Sequence, residues 1–371
     1  MIDVMKRVKD TIRERNLVAP GAPVVIMVSG GSDSTALAYI AHELSAVGVI
    51  GPVAMLHVNH HLRGAEADGD AAFVAQLAQA LSIPLYAIDA DVADEAARTG
   101  ENIEAVGRRI RYSAAQDALR NMCLQLAQPL SEGRIFTAHT QDDRVENFYM
   151  RSIVGTGPRG FRSMLYRNGP VVRPLLDVSR EALRAGIENR AVETPELPIV
   201  RDETEALWRE DATNAHTDHF RAWVRHEVIP LMKQKNPQLL DTLCRSMNLV
   251  GDEDDMLDAH TNRIIGELVA WEDVDGDTVV DYEAGCVILP QFGALPLPIQ
   301  RRVAFQVLQY ILGPDARVET ATITAITDAF GQDAPKSGYT NNIQGNLAIS
   351  ANKQGLRIEP MEAYRIRRKR G

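Results

Sequence analysis

Cysteine is scarce in this sequence. The 371-residue chain has three, Cys123, Cys244 and Cys286, far apart and without a Cys-x-x-Cys pair. That excludes a disulfide scaffold, a cysteine-rich zinc site and a local redox motif, and inert thiols in a reducing compartment are expected. No run of about 18 apolar residues occurs, so no membrane-spanning helix is expected. The opening residues, MIDVMKRVKDTIRERNLV, are too charged for a signal peptide, and a cytoplasmic protein is expected. Positive net charge is missing as well: 40 basic residues stand against 50 acidic, a balance of −10. A protein that coats nucleic acid indiscriminately needs a broad basic surface, so that class is disfavoured. A nucleic-acid substrate held by a local basic patch stays open. Internal repeats are also absent, and the oligomeric state is left open.

What is present is ordinary globular composition, with 45% hydrophobic and 24% charged residues. At about 100–200 residues per domain, two domains are expected. Apolar runs rich in β-branched residues, PVVIMVS (23–29), PVAMLHV (52–58), IPLYAID (83–89) and RIFTA (134–138), read as buried strands. Helical stretches follow each of them: 34–44, 71–81, 102–120 and 142–154. This alternation predicts an α/β fold with a doubly wound parallel sheet, whose ligands sit beyond the carboxyl ends of the strands. VVRPLL (171–176) is a candidate last strand. From 221 onward the pattern turns helical. The expected division is an N-terminal catalytic domain over 1–222 and a smaller, mainly helical C-terminal domain over 223–371. The second is subdivided near the Gly- and Pro-bearing stretch 276–297, read as a loop or linker. GDEDDMLD (251–258) interrupts the helical pattern with five acids, and without EF-hand spacing it reads as a solvated helix face. The chain ends in a basic tail from Arg365.

The strongest local signal is VSGGSDS, Val28 to Ser34. A strand runs into two glycines and then Ser-Asp-Ser at a helix start. Gly30 and Gly31 let the backbone approach an anion closely. Ser29, Ser32 and Ser34 add hydroxyls, and the helix N-terminus adds oriented N–H groups. Asp33 would repel phosphate unless a cation lies between, so it is assigned to Mg²⁺ bridging phosphate oxygens. The loop lacks the lysine and spacing of a Walker A motif. Gly155-Thr156-Gly157-Pro158-Arg159-Gly160 fits G-x-G-x-x-G formally, but it follows a helix and contains proline. It reads as a flexible loop carrying Arg159 and Arg162 rather than a dinucleotide site.

SGGSDS resembles the signature of the PP-loop ATP pyrophosphatases. HVNHHLRG (57–64) with Glu66 and Asp68, NIEAVGRRIRY (102–112), TAHTQDDRVEN (137–147), GTGPRGFRSM (155–164), RPLL (173–176) and WREDATNAHTDHFRAWVRHEVIP (208–230) follow in order. Together they resemble the bacterial tRNA(Ile)-lysidine synthetases over roughly residues 20–230, and more weakly beyond. The resemblance implies a PP-loop fold, ATP and Mg²⁺ as cofactors, and free L-lysine and tRNA(Ile) with a CAU anticodon as partners. It also implies the reaction. The C2 oxygen of the wobble cytidine is adenylated with loss of pyrophosphate. The lysine ε-amine then displaces AMP, giving lysidine. Thr140, Asn147, Val154 and Ala212 depart from the His, Thr, Arg and Pro usual in the family at those positions.

The residues offer matching chemistry. His57, His60, His61 and Arg63 cluster at the end of the second strand. His57, His60 and Arg63 are candidate ATP contacts, with a structural loop or a metal as competing readings. His139 ends the fourth strand facing the same edge. Arg108 and Arg111 lie at i, i+3 on one helix, as do Asp143 and Glu146 on another. A surface salt-bridge network competes with function for either pair, and Asp142 competes as a helix cap. The resemblance places both pairs at lysine-binding and catalytic positions, with Asp33, His139, Arg108 and Asp143 as the catalytic set. Trp208, Asp211, Asn214, Arg221 and Arg225 suit an unpaired anticodon loop by stacking and charge, with helix capping as the alternative for Asp211 and Asn214. Two rival classes remain. A tRNA thiolase would commonly need paired cysteines, absent here. A nucleotide sensor would not need the two charged pairs.

Overall fold

The computed structural model describes residues 2–194, 197–210, 219–272, 281–313, 316–331 and 334–370. The chain forms two compact units, Met1–Gly251 and Asp252–Gly371.

In the first unit, α1 (Ile2–Glu14) leads into β1 (Val24–Met27), α2 (Ser32–Ala46), β2 (Val53–Asn59), α3 (Ala65–Ala80) and β3 (Leu85–Asp89). Then come α4 (Val92–Thr99), α5 (Ile103–Gln125), β4 (Arg134–Phe136), α6 (Gln141–Val154) and α7 (Pro158–Phe161). The short strands β5 (Arg167–Asn168) and β6 (Val171–Val172) precede α8 (Arg180–Glu193). The sheet order is β3-β2-β1-β4-β6-β5. All neighbours are parallel except β5 with β6. The chain moves outward from β1 to β3, then crosses back to β4 on the other side of β1. The switch point therefore lies between β1 and β4, where such sheets leave a crevice at the carboxyl ends.

Both faces of the sheet are covered, which is why its strands read as continuous apolar runs. Val24, Ile26 and Val28 join one buried cluster with residues of α1, α2, α3 and α8. Val25, Ala54, Leu56 and Ile135 join another with Ala115, Ala118, Leu119 and Met122 of α5. Helices α2 and α8 pack against each other, which brings the start of α8 beside the loop after β1.

Past residue 218 the first unit continues through α9 (His219–Trp223), a π-helical turn (Val224–Val228), α10 (Ile229–Lys235) and the first part of α11 (Leu239–Leu268). Pro230 has no N–H to offer the carbonyl four residues back, which favours the wide turn before it. Val224, Ile229, Leu240, Cys244 and Met247 pack on Val145 of α6. This apolar seam is why the unit extends to Gly251, so that the expected 222/223 boundary falls inside it.

The second unit carries the helices that the sequence suggested and, beside them, strands that it did not. It holds a five-stranded sheet, ordered β7-β8-β11-β10-β9. The strands are β7 (Val269–Trp271), β8 (Cys286–Ile288), β9 (Thr340–Ile343), β10 (Leu347–Asn352) and β11 (Gly355–Pro360). Helices α12 (Leu297–Leu312) and α13 (Thr320–Asp328) contribute to the same core, and α14 (Met361–Arg370) ends the chain. The stretch expected as a linker thus contains β8, with Cys286 and Ile288 fully buried. The acidic run does not interrupt a helix either, since α11 continues through it. Asp254 is 3% exposed there and, with Asp258, pairs with Arg302. Among the described residues no helix is long and apolar enough to cross a membrane.

Candidate active site

The loop after β1 is shaped by its own hydroxyls. Gly30 has φ +94°, a conformation that penalises any Cβ, and Gly31 is the N-cap of α2 without a side-chain cap. Ser34 Oγ accepts from the Ser29 N–H at 3.1 Å and donates to the Gly31 carbonyl at 3.0 Å. Thr35 Oγ1 donates to the Gly30 carbonyl at 3.1 Å. The start of α2 thereby presents oriented N–H groups and a positive dipole end with no resident carboxylate cap, an arrangement suited to phosphate.

Across the switch point, β4 leads to His139 and α6. Thr140 caps α6, and its N–H and hydroxyl donate to Asp143 Oδ2 at 2.8 and 2.9 Å, closing a capping box. Thr140 therefore fixes the orientation of Asp143. Asp142 does not cap its own helix. Its Oδ2 accepts from the Arg180 N–H at 2.7 Å, capping α8.

A cavity of about 590 Å³ joins the two halves. Ser29, Gly31, Ser32, Asp33, Ser34, Arg63, His139, Asp143, Arg221 and Arg225, assigned from the sequence to separate ATP, lysine and RNA sets, all line it, together with Arg180, Arg184 and Arg209. Arg180 spans the centre: Nε donates to Asp33 Oδ2 at 2.9 Å and Nη2 to Asp143 Oδ1 at 3.1 Å. Its Nη1 lies 3.8 Å from Glu146 Oε1. Arg221 donates to Glu146 Oε2 at 2.8 Å and to Asp143 Oδ1 at 2.9 Å. Arg225 donates to both Glu146 oxygens, at 2.6 and 3.1 Å. Glu146 itself is 1% exposed. At the rim, Arg184 Nε donates to Ser32 Oγ at 3.2 Å, and its guanidinium lies 5.5 Å from the Trp208 ring. Asp70 joins Arg63 and Arg209 at 2.8 and 3.0 Å. The Arg209 N–H donates to the Gly30 carbonyl at 2.9 Å, tying the segment that carries Trp208 to the phosphate-type loop.

Electrostatics separate the acids. Burial is the largest influence on Asp33 and raises its pKa, with Arg180 only partly offsetting it. Burial also presses the Asp143 pKa upward, but Arg180, Arg221 and the Thr140 N–H outweigh it and hold the group below the usual carboxylate range. His139 is lowered to about 4, first by burial, with Arg173, Arg221 and Arg108 adding to the effect against Asp143. His60 is likewise lowered to about 4 by burial, then by Arg111 and His57. Both rings are neutral at neutral pH. Proton NMR titration of the imidazoles is expected to show midpoints for His60 and His139 near 4. Midpoints near the ordinary 6.5 would contradict this packing.

Several expected residues are placed elsewhere. His57 points inward, with Nδ1 2.9 Å from the Val28 carbonyl oxygen and the residue 7% exposed. His60 lies beside Gly107 of α5, and His61 pairs with Asp89 at 2.9 Å. Arg108 stacks on Tyr112 at 4.7 Å, and Arg111 donates to the Gly107 carbonyl at 3.3 Å. Neither arginine lines the cavity, though the charge of Arg108 reaches His139 and that of Arg111 reaches His60. Trp208 Nε1 donates to Glu210 at 3.0 Å. Asp211, Ala212 and Asn214 lie outside the described residues. Pro158 opens the short helix α7, so the formal G-x-G-x-x-G follows α6 and lacks a strand before it.

Sequence reasoning missed Arg180, Arg184, Asp70 and Arg209. A signal for Arg180 existed. Arginine in the first turn after an N-cap serine opposes the helix dipole, and such a residue needs carboxylates nearby.

The parallel sheet, the switch-point crevice and the glycine loop at a bare helix N-terminus define a nucleotide-type α/β domain. A family model described as "PP-loop domain" matches residues 3–232, and the chain belongs to that family. Curated relatives include a protein named tRNA(Ile)-lysidine synthase from Porphyromonas gingivalis strain W83. It is 36% identical over 253 residues, covering 67% of this chain and 50% of the relative. One of the same name from Dehalococcoides mccartyi is 32% identical over 276 residues, covering 72% and 54%. The matches thus span about half the length of these relatives. Among solved structures, the U34-tRNA thiolase NcsA from Methanococcus maripaludis aligns with TM-score 0.48 and 15% identity. That alignment covers 68% of this chain and 81% of the thiolase.

Proposed function

We propose that the chain ligates L-lysine to C2 of the wobble cytidine of tRNA(Ile) bearing a CAU anticodon, using ATP and releasing AMP and pyrophosphate. The observation that carries this reading is the cavity in which the start of α2 and Asp33 face Asp143 across the Arg180 guanidinium, with Glu146 buried just behind. That arrangement supports pyrophosphate departure and amine attack at one site. Relatives at 32–36% identity that bear the lysidine synthase name support the choice of substrates.

The loop Ser29–Ser34 would hold the leaving phosphates through N–H groups and hydroxyls, with Arg184 and Arg63 at the rim. Asp33 fits a Mg²⁺ ion, since it is a loop carboxylate beside the phosphate seat, and Mg²⁺ is held by one or two carboxylates plus phosphate oxygens. Such an ion would neutralise charge building on the departing pyrophosphate. Asp143 is held ionised, which suits it to bind an ammonium group, and Glu146 adds a second acid beneath it. Arg108, which stacks on Tyr112 outside the cavity but acts electrostatically on His139, would have to turn inward to meet the lysine carboxylate. His139 is neutral and contributes a ring nitrogen without adding charge. Outside the cavity, Trp208 would offer a stacking face. In the second unit, α14 carries Arg365, Arg368 and Lys369 on exposed positions, a local basic element suited to RNA phosphates.

The three cysteines are free and buried, which gives no support to a sulfur-transfer reading. The test is product analysis of ATP consumption. With CAU-bearing tRNA(Ile) and lysine, AMP and pyrophosphate are expected in equal amounts. ADP and phosphate as the products would reject the reading.

A further inference from the structure

The residues assigned to lysine and those assigned to RNA are bonded to each other. Glu146 and Asp143 are the acids suited to the incoming amine, whereas Arg221 and Arg225 are the cations suited to phosphate. In this structure both guanidiniums sit on those carboxylates, at 2.6–3.1 Å. An arginine side chain is a fair mimic of a lysine side chain, and the amine subsite is occupied by the protein's own cations.

We propose that Arg221 and Arg225 form a latch that keeps the lysine subsite closed until RNA phosphates draw them away. The proposal rests on the reading that Asp143 and Glu146 bind the lysine amine. Charge balance argues for it. Asp33, Asp143 and Glu146 offset Arg180, Arg221 and Arg225, three against three. An ammonium entering alone leaves the cluster with surplus positive charge in a buried place. A phosphate binding the arginines alone takes both hydrogen-bonded partners from Glu146 and leaves it only Arg180 at 3.8 Å, and a buried carboxylate short of partners is costly. The two ligands arriving together restore balance, since each takes the partner the other vacates. Lysine and tRNA must then bind cooperatively, and by linkage each raises the affinity of the other by the same factor.

The local backbone suits such a movement. Arg225 lies within the π-helical turn Val224–Val228, between α9 and α10. Such turns are frequent at functional sites. Val224 stays anchored in the apolar seam with Val145, so the arginines can move while the segment remains attached.

The test is calorimetric titration of lysine into the full chain with a non-hydrolysable ATP analogue, with and without a CAU-bearing tRNA(Ile) transcript. The transcript is expected to tighten lysine binding about tenfold or more, within the usual range of such couplings. Arg225→Gln and Arg221→Gln, measured separately, are each expected to tighten lysine binding in the absence of RNA and to shrink the coupling. Merely structural arginines would give the opposite sign, with weaker lysine binding in both variants. Thermal unfolding confirms that each variant is folded, and either one suffices. Equal lysine affinity with and without tRNA, or weaker binding in the folded variants, overturns the latch. If the complete system still forms product in that case, the proposed function stands. Absence of both lysine binding and product under every condition overturns the underlying reading and the latch with it.

Discussion

Asp143→Asn is expected to lower kcat/KM for lysine by about 10²–10⁴-fold, while binding of ATP in the absence of lysine changes little. The carboxylate accepts from Thr140, Arg180 and Arg221 at 2.8–3.1 Å and is nearly inaccessible to water. An amide cannot offset two guanidiniums and an incoming ammonium. Removing one member of a buried charge set typically costs about 3–5 kcal/mol, which sets the scale of the loss. The fold should suffer too. The Asp143 pKa is held down in the folded chain, so its ionised form stabilises the fold. That contribution is present above the unfolded carboxylate pKa and is lost as pH falls through the lower folded value. Asp143→Asn should therefore lower the melting temperature at neutral pH, and by less in strong acid. A variant with wild-type lysine kinetics would contradict the assignment of Asp143 to the amine.

Asp33→Asn is expected to reduce AMP formation by about 10²–10³-fold, the usual scale for losing one preorganised group that offsets developing charge. Its effect on stability should run the other way. Burial raises the Asp33 pKa, so ionised Asp33 is disfavoured by the fold relative to the unfolded chain. The neutral amide removes that cost, and the melting temperature at neutral pH should hold or rise. A stable, inactive Asp33 variant beside a destabilised, inactive Asp143 variant is the combined signature, read by melting temperature and AMP release in parallel.

Legibility in the sequence followed the range of the interactions. The buried strands around β1 were visible because parallel strands covered on both faces are apolar throughout, as in VVIM. The phosphate-type loop was visible because its logic is local: two glycines, three serines and an acid at one helix start. The i, i+3 pairing of Asp143 with Glu146 was visible for the same reason. Their arginine partners were not, because Arg180 lies 37 residues and Arg221 78 residues from Asp143 in the chain. Spacing along one helix carries no information about such distant contacts. His57 was misplaced by the same logic. Its position at the end of β2 suggested the crevice, but the side chain turns to the Val28 carbonyl behind the loop. The sheet of the second unit was hidden because three of its strands, β7, β8 and β9, are only three or four residues long. Thr-Asn-Asn-Ile of β9 and the three-residue Cys-Val-Ile of β8 resemble loop sequence until their partners are known. The net −10 coexists with a cavity where arginines crowd between carboxylates, so basic surface is concentrated rather than spread.

The most direct measurement is transfer of labelled lysine. The full chain is incubated with ATP, Mg²⁺, labelled lysine and a tRNA(Ile) transcript bearing CAU, and the RNA is digested to map the label. Label is expected on the wobble cytidine alone and is lost when Asp33 or Asp143 is replaced. Label transfer that survives both replacements would contradict the site, and RNA without label under every condition would contradict the function.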